Sequence, residues 1–233
     1  MRIVSLVPSV TESLLAWDVE PLACTRFCEQ PTLRHVGGTK DPDIDAIVEL
    51  SPDVVVVDRE ENRREDAEAL VARGVRVVDL HVTDLDTALV ETARLAAVVG
   101  VEVPTVTPNR SVPAKVRAFV PIWRRPWMTI SASTYGASIL RSIGVDLSHA
   151  DASATYPEVP PEELGRLASS RGVAVVILPT EPYAFGERHV EELRRLTTID
   201  DVRIIDGRDL FWWGVRTVGA RERLAASLAD LLG

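Results

Sequence analysis

The sequence predicts an α/β fold of two similar lobes, each a mostly parallel sheet flanked by helices. Three observations predict it. Short apolar, β-branched runs alternate with amphipathic stretches along the chain. The runs are apolar throughout, as strands buried on both faces must be. The second half also repeats the first in the order and character of its elements.

In chain order, RIVSLVP reads as a core strand and leads into SVTESLL, where Ser9 with Glu12 makes a capping-box pattern. GGTK at Gly37–Lys40 is a fragment of a phosphate loop and reads as a turn. Asp43 caps the helix Asp43–Leu50, with Asp45 near its positive end. DVVVVD is a strand, Glu65–Arg73 a helix, VRVVDL a strand and Leu85–Val99 a helix. VEVPTVTPNRSVPAK then carries three prolines and no helical period, which makes it a linker. The expected lobes are residues 1–103 and 115–233, joined by 104–114. KVRAFVPI and WMTIS follow as strands connected by IWRRPW, where arginine over tryptophan suits a cation–π stack; the segment could line a ligand cleft or join the lobes, and its strand connection favours a structural role. Pro160 and Pro161 suit a helix's first turn, with Glu162 and Glu163 behind them. VAVVILPTEPYAF, a helix and VRIID then mirror DVVVVDREEN, its helix and VRVVDL. Each half also has a strand entering a Ser/Thr-rich helix start, VSLVPSVTESLL and MTISASTYGASIL.

The formal charge of −9 and pI near 5.0 argue against nucleic acid and anionic lipid as partners. No apolar run reaches the length of a bilayer span, so membrane insertion is not expected. Met1 leads straight into a core strand, leaving no room for a signal peptide. The expectation is a cytoplasmic protein, with an extracytoplasmic place as the alternative if the chain has been trimmed. Cys24 and Cys28 are too few and too close for a secreted disulfide framework.

Ligands of parallel α/β sheets bind beyond the carboxyl ends of the strands. The residues there are Ser9 and its neighbours after the first strand, and Glu60, Glu61 and Asn62 after DVVVVD. In the second half they are Ser133 and Tyr135, then Tyr183 and Phe185, then Trp212, Trp213 and Arg216. If the lobes face each other, these segments converge on one ligand cleft. In DLFWWGVRT three aromatics stand in a row, in a chain only 5% aromatic. Side chains alternate along a strand, so at least one of Trp212 and Trp213 is expected to be partly exposed. Large flat surfaces beside a guanidinium suit a planar or macrocyclic ligand with polar edges. There is no G-x-S-x-G, H-E-x-x-H or G-x-x-x-x-G-K-[ST], and the four histidines show no metal-ligand spacing. No catalytic residue, bound metal or cofactor is expected.

RIVSLVPSVTESLLAW, FCEQP, GGTKDPDIDAIVELSPDVVVV, EEN and ALVARGVRVVDL resemble the N-terminal lobe of the class III solute-binding proteins, which serve importers of cobalamin, haem and ferric siderophores. YPEVPPEELGRL, VVILPTEPYAF and DLFWWGVRT are similar to its C-terminal lobe. The resemblance implies a binding component without enzymatic activity. It implies ligand contacts at Phe27 or Cys28 and at Trp212 with Arg216. It also implies an ABC permease as partner, docked on one acidic residue per lobe, here Asp45 and Glu162. The implied ligand is a metal chelate, cobalamin-like first and ferric siderophore second. Family members join their lobes with one long helix, from which the proline-bearing linker departs. The rival expectation is a tetrapyrrole-modifying or metal-inserting enzyme of related architecture, which needs a metal-site pair such as His81 with Glu60.

Overall fold

The computed structural model describes residues 1–104 and 112–233. Of the linker expected at 104–114, residues 105–111 lie outside the described residues. The chain divides into two compact units. The first holds Met1–Val82, the chain from Asp86 onward through the long helix, and Trp213–Arg216. The second holds Thr83–Leu85, the described chain from 112 to Trp212, and Thr217–Gly233.

The first unit is built from β1 (Ile3–Ser5), α1 (Pro8–Ala16), β2 (Ala23–Cys24), β3 (Arg34–His35), α2 (Ile44–Glu49), β4 (Val54–Asp58), α3 (Arg64–Ala72), β5 (Val77–Leu80) and α4 (Leu85–Val99). Its strands pair in the order β3-β2-β1-β4-β5, all parallel. Every residue of β1 and β4 is buried, which is why both runs lack polar alternation. One face packs on Ile47 of α2 and Leu70 of α3, through Val4, Leu6, Val55 and Val57.

The second unit contains β6 (Val116–Phe119), β7 (Pro121–Trp123), β8 (Met128–Thr129), α5 (Tyr135–Arg141), β9 (Val145–Leu147), α6 (Pro161–Leu164), α7 (Leu167–Arg171), β10 (Val175–Pro179), α8 (Glu187–Thr197), β11 (Val202–Ile205), α9 (Gly207–Phe211), α10 (Thr217–Ser227) and α11 (Ala229–Leu232). Its sheet runs β11-β10-β6-β9, again all parallel. Phe119, Trp127, Leu164, Leu178, Phe185 and Leu193 centre its core.

The two sheets share a topology. In each, the first strand is central, the chain moves to one side, then crosses to the other: β1, β2, β4, β5 correspond to β6, β9, β10, β11. The internal repeat is therefore real, with one adjustment. The strand entering MTISASTYGASIL is β8, which pairs antiparallel with β7 outside the parallel sheet. The counterpart of β1 is β6, and the β7–β8 hairpin is inserted between that strand and its helix.

Two helix starts form as the sequence indicates. Asp43 accepts the Ala46 N–H at 3.0 Å, and Pro161 opens α6. The Ser9–Glu12 capping box does not form. Helix α1 begins at Pro8 after Val7, with no side-chain cap, and Ser9 is already inside it. The Glu12 carboxylate is taken instead by Arg216 (Nε to Oε2 2.9 Å). A charge-assisted pair outcompetes a single backbone N–H for that carboxylate. His149 is a satisfied core residue, with Ser148 Oγ at 2.7 Å from Nδ1 and Glu163 Oε1 at 3.1 Å from Nε2. No helix among the described residues is long and apolar enough to cross a membrane.

Candidate functional site

Each sheet has a point where neighbouring strands send their chains to opposite sides, and loops separate there at the carboxyl ends. In the first unit this point lies between β1 and β4; in the second it lies between β6 and β10.

In the second unit the loops at this point are the β7–β8 hairpin, entered from β6, and Thr180–Gly186 after β10. They carry a continuous aromatic group. Trp123, 45% exposed, meets Tyr183 edge-on at 5.4 Å between ring centroids. Tyr183 lies 4.5 Å from Phe185, which stacks on Trp127 at 6.0 Å with planes 2° apart. The group thus runs from an exposed tryptophan down into the core, so the outer rings are held by the inner ones. His189 closes it, 5.2 Å from Phe185 and edge-on. Its Nδ1 accepts the Gly186 N–H at 3.0 Å at the start of α8. Burial, and next the Arg188 charge, hold this imidazole below its ordinary pKa.

Beside the rings is a recess of about 280 Å³ lined by Arg124, Arg188, His189 and Glu192. Arg124 is bound by Glu192 at 2.6 Å, whereas Arg188 is exposed and makes no ion pair among the described residues. The recess therefore keeps a net positive charge. It falls short of the roughly 300–1,000 Å³ of a whole-ligand pocket. It suits an anionic edge group of a ligand whose flat body lies on the rings. Arg188 and Glu192 are not candidates from sequence, and Trp123 and Arg124 are so only through IWRRPW as a segment that could line a cleft. IWRRPW held the signal, but its role as a strand connection, which the hairpin bears out, masked the exposed ring.

The other second-unit candidates are placed as follows. Ser133 is exposed and shares a 2.9 Å hydrogen bond with Ser131. Tyr135 is 6% exposed and donates its hydroxyl to Thr217 at 3.1 Å, which ties α5 to α10. Trp212 is half-buried, with its indole N–H on Glu181 Oε2 at 3.0 Å. Phe211 ends a short helix rather than lying on a strand, and Asp206 caps that helix through the Arg208 N–H at 3.0 Å.

In the first unit Asn62 is 7% exposed and spends its whole amide on the backbone. Its Oδ1 accepts the Asp58 N–H at 2.9 Å, and Nδ2 donates to Leu6 O at 3.1 Å and Thr39 O at 2.9 Å. It ties three loops together at the switch point and has no group left for a ligand. Asp58, at the end of β4, is 1% exposed; Oδ1 accepts the Glu60 N–H at 2.8 Å and Oδ2 has no partner. Burial pushes its pKa up to about 7. Burial also raises Glu61, against the pull of Lys40. Lys40 itself donates to Glu60 O at 2.9 Å, so GGTK is a turn that braces this loop. Phe27 is 51% exposed with the Arg26 guanidinium 4.8 Å above its ring, and Cys28 is 2% exposed beneath it in the loop. His81 Nε2 stands 3.7 Å from Glu60 Oε1, and no group of three or more His, Cys, Asp or Glu among the described residues is placed to hold a metal. The metal-inserting alternative gains no support from that pair.

Trp213 is 4% exposed and Ser9 is buried in α1. Trp213–Arg216 seats on α1, where the Val215 N–H donates to Ser13 Oγ at 3.2 Å. Gly214 between them has φ +102°, and a Cβ there would collide with Ser13 Oγ. Gly214→Ala is therefore expected to destabilise the fold by about 2 kcal/mol or more. A fall in the urea midpoint at unchanged m-value is the result to look for; an unchanged midpoint would show that the segment is not seated this way.

Residues 3–103 match the family model described as periplasmic binding protein. The match spans the first unit from β1 through α4. The fold of the whole chain agrees. It superposes on the periplasmic vitamin B12 binding protein BtuF of Vibrio cholerae with TM-score 0.76 at 19% identity, covering 99% of this chain and 97% of that one. For the periplasmic heme-binding protein RhuT of Roseiflexus sp. RS-1 the values are 0.80 and 18%, covering 100% and 99%. For a periplasmic heme binding protein of Pseudomonas aeruginosa they are 0.78 and 19%, covering 99% and 92%. No curated protein matches the sequence itself. At these identities the likeness is one of fold alone, and it covers both units.

Proposed function

We propose that this chain is the solute-binding component of an ABC importer for a flat metal chelate with anionic edge groups, a corrinoid or heme-type tetrapyrrole ahead of a ferric siderophore. The observation that carries the reading is the exposed Trp123 ring on half-buried Tyr183 beside the Arg188 recess, at the strand-order switch of the second unit. Rings accept the face of a macrocycle, and a guanidinium outside any ion pair among the described residues donates to a carboxylate or amide oxygen at its edge. A rigid aromatic surface also loses little conformational freedom on binding.

The test is a titration of the protein with cobalamin, cobinamide, heme and several ferric siderophores, followed by ligand absorbance and by tryptophan fluorescence. One ligand is expected to saturate at micromolar concentration or below. Tyr183→Ala, which keeps every tryptophan, is expected to weaken it roughly tenfold through lost stacking. Arg188→Ala is expected to weaken carboxylate-bearing ligands and spare their esters. No saturable response to any chelate would sink the reading.

Asp45 and Glu162 are assigned to permease docking. Each is the second residue of its helix, in α2 and α6, and each is exposed. Asp45 also pairs with Arg73 at 2.7 Å, an exposed contact that costs little to exchange. Replacing both by lysine is expected to abolish capture of the permease at unchanged ligand affinity. Retained capture would overturn the assignment.

A further inference from the structure

We propose that Cys28 is a modification site, whose thiolate reduces a peroxide and whose oxidised product Cys24 resolves to a Cys24–Cys28 disulfide. The inference is independent of the proposed function, which rests on the second unit's rings and Arg188; Cys28, a candidate ligand contact by resemblance, is buried.

The geometry is that of an anion held among donors. Cys24 ends β2, and Cys28 closes the turn that follows, with its N–H on Thr25 O at 3.1 Å. Thr11 Oγ1 donates to Cys28 Sγ at 3.2 Å, and Thr25 Oγ1 lies 3.2 Å from the same sulfur. The Cys24 side chain lies close enough for the two thiols to perturb each other's ionisation. Thr11 has one proton and two further acceptors, Ser5 Oγ at 2.8 Å and Val7 O at 3.2 Å. A charged sulfur is the strongest acceptor of the three, so ionisation draws that proton to it. The neighbouring Cys24 thiol first, then the hydrogen bonds of Thr11 and Thr25, lower the Cys28 pKa to about 6 against the opposing effect of burial. The same pairing, with burial, raises Cys24, which stays a thiol. A thiolate beside a thiol is the arrangement that oxidation and resolution require.

The step balances as follows. The Cys28 thiolate attacks one oxygen of the peroxide; the S–O bond forms as the O–O bond breaks. The sulfur is oxidised to sulfenic acid, and the departing hydroxide takes a proton to become water. Cys24 sulfur then attacks Cys28 sulfur; the S–S bond forms as S–O breaks, and the hydroxyl leaves with the Cys24 proton as a second water. Cys28 is 2% exposed, so access requires displacement of the loop that carries the half-exposed Phe27. Small peroxides are therefore favoured over bulky electrophiles.

The experiment uses the full chain, reduced, treated with hydrogen peroxide near neutral pH, then alkylated under denaturing conditions and digested with trypsin. Cleavage after Arg26 separates the cysteines into peptides 3–26 and 27–34. The expected product is that pair joined by a disulfide, with the intact mass lowered by two hydrogens. In Cys24→Ser, a sulfenic acid on Cys28 is expected to be trapped by dimedone; in Cys28→Ser, Cys24 is expected to stay reduced. Two alkylated cysteines after peroxide, a sulfinic acid on Cys28 with Cys24 free, or a disulfide between two chains would each overturn the proposal. The natural chain alone gives the decisive peptide pair, so a variant that fails to fold leaves the test intact.

Discussion

Replacing Asp58 by asparagine is expected to stabilise the protein at alkaline pH and destabilise it in acid. The Asp58 carboxyl has a folded pKa of about 7 against 3.8 for the free side chain, because burial disfavours its charge. Below the unfolded value both states hold the proton and nothing is lost. Above it the unfolded chain releases the proton while the folded chain keeps it, so stability falls by about 1.4 kcal/mol per pH unit. The fall stops near the folded pKa, after a total of about 4 kcal/mol. Asparagine removes this term. It keeps the acceptor for the Glu60 N–H, but its amide nitrogen falls where Oδ2 now lacks a partner. An orphaned buried donor costs about 1–3 kcal/mol at every pH. The difference between the two unfolding curves should thus change sign between about pH 4 and pH 8. That difference isolates Asp58 from the neutral buried histidines and from Cys28, whose lowered pKa adds stability as pH rises from about 6 toward its unfolded value of 9.0. Parallel curves would mean that Asp58 is ionised and solvated in the fold.

The elements whose sequence determinants are local were legible before the structure. VVVV and VVIL read as two-face-buried strands because no polar residue interrupts them, and they are β4 and β10. Asp43 read as a cap because the N–H it binds is three residues away. The repeat was legible as an order of elements, and the hairpin β7–β8 was not, because an insertion preserves order on both sides of itself. Helix α9 was hidden inside DLFWWGVRT, where three large side chains suggested a strand and a single Asp206 cap decides otherwise.

The site was less legible, because its partners are remote in sequence. Glu12 looked like half of a capping box, and the charge that claims it is 204 residues away. Tyr183 and Phe185 are candidates as aromatics after a strand, and the structure sets them in one group with Trp123 from a different loop. Arg188 stands on the first turn of α8, where sequence gives no sign of which arginines lack a carboxylate. Asp58 reads as the last residue of an apolar strand; its perturbed proton follows from burial, which sequence does not show.

Asn62 sharpens the same point and carries the second large effect. Its position after DVVVVD makes it a candidate ligand anchor, yet its amide joins Leu6 just after β1, Asp58 at the end of β4 and Thr39. Asn62→Leu keeps the volume and leaves the Asp58 N–H, Leu6 O and Thr39 O without that partner. At about 1 kcal/mol for each lost bond, and more for a group that water cannot reach, the expected loss is about 3–5 kcal/mol. Because the bonds tie carboxyl-end loops rather than the sheet, hydrogen exchange should rise first at the amides of Asp58 and its following loop, while those of β5 stay protected. Asn62→Asp retains the acceptor for the Asp58 N–H but loses both donors, and it adds a charge beside the unpartnered Asp58 Oδ2. It should be the worse variant above pH ~7 and approach Asn62→Leu in acid, where both carboxyls are protonated. Equal stability of all three chains at neutral pH would show that Asn62 is free after all, and would return it to the set of residues that could meet a ligand.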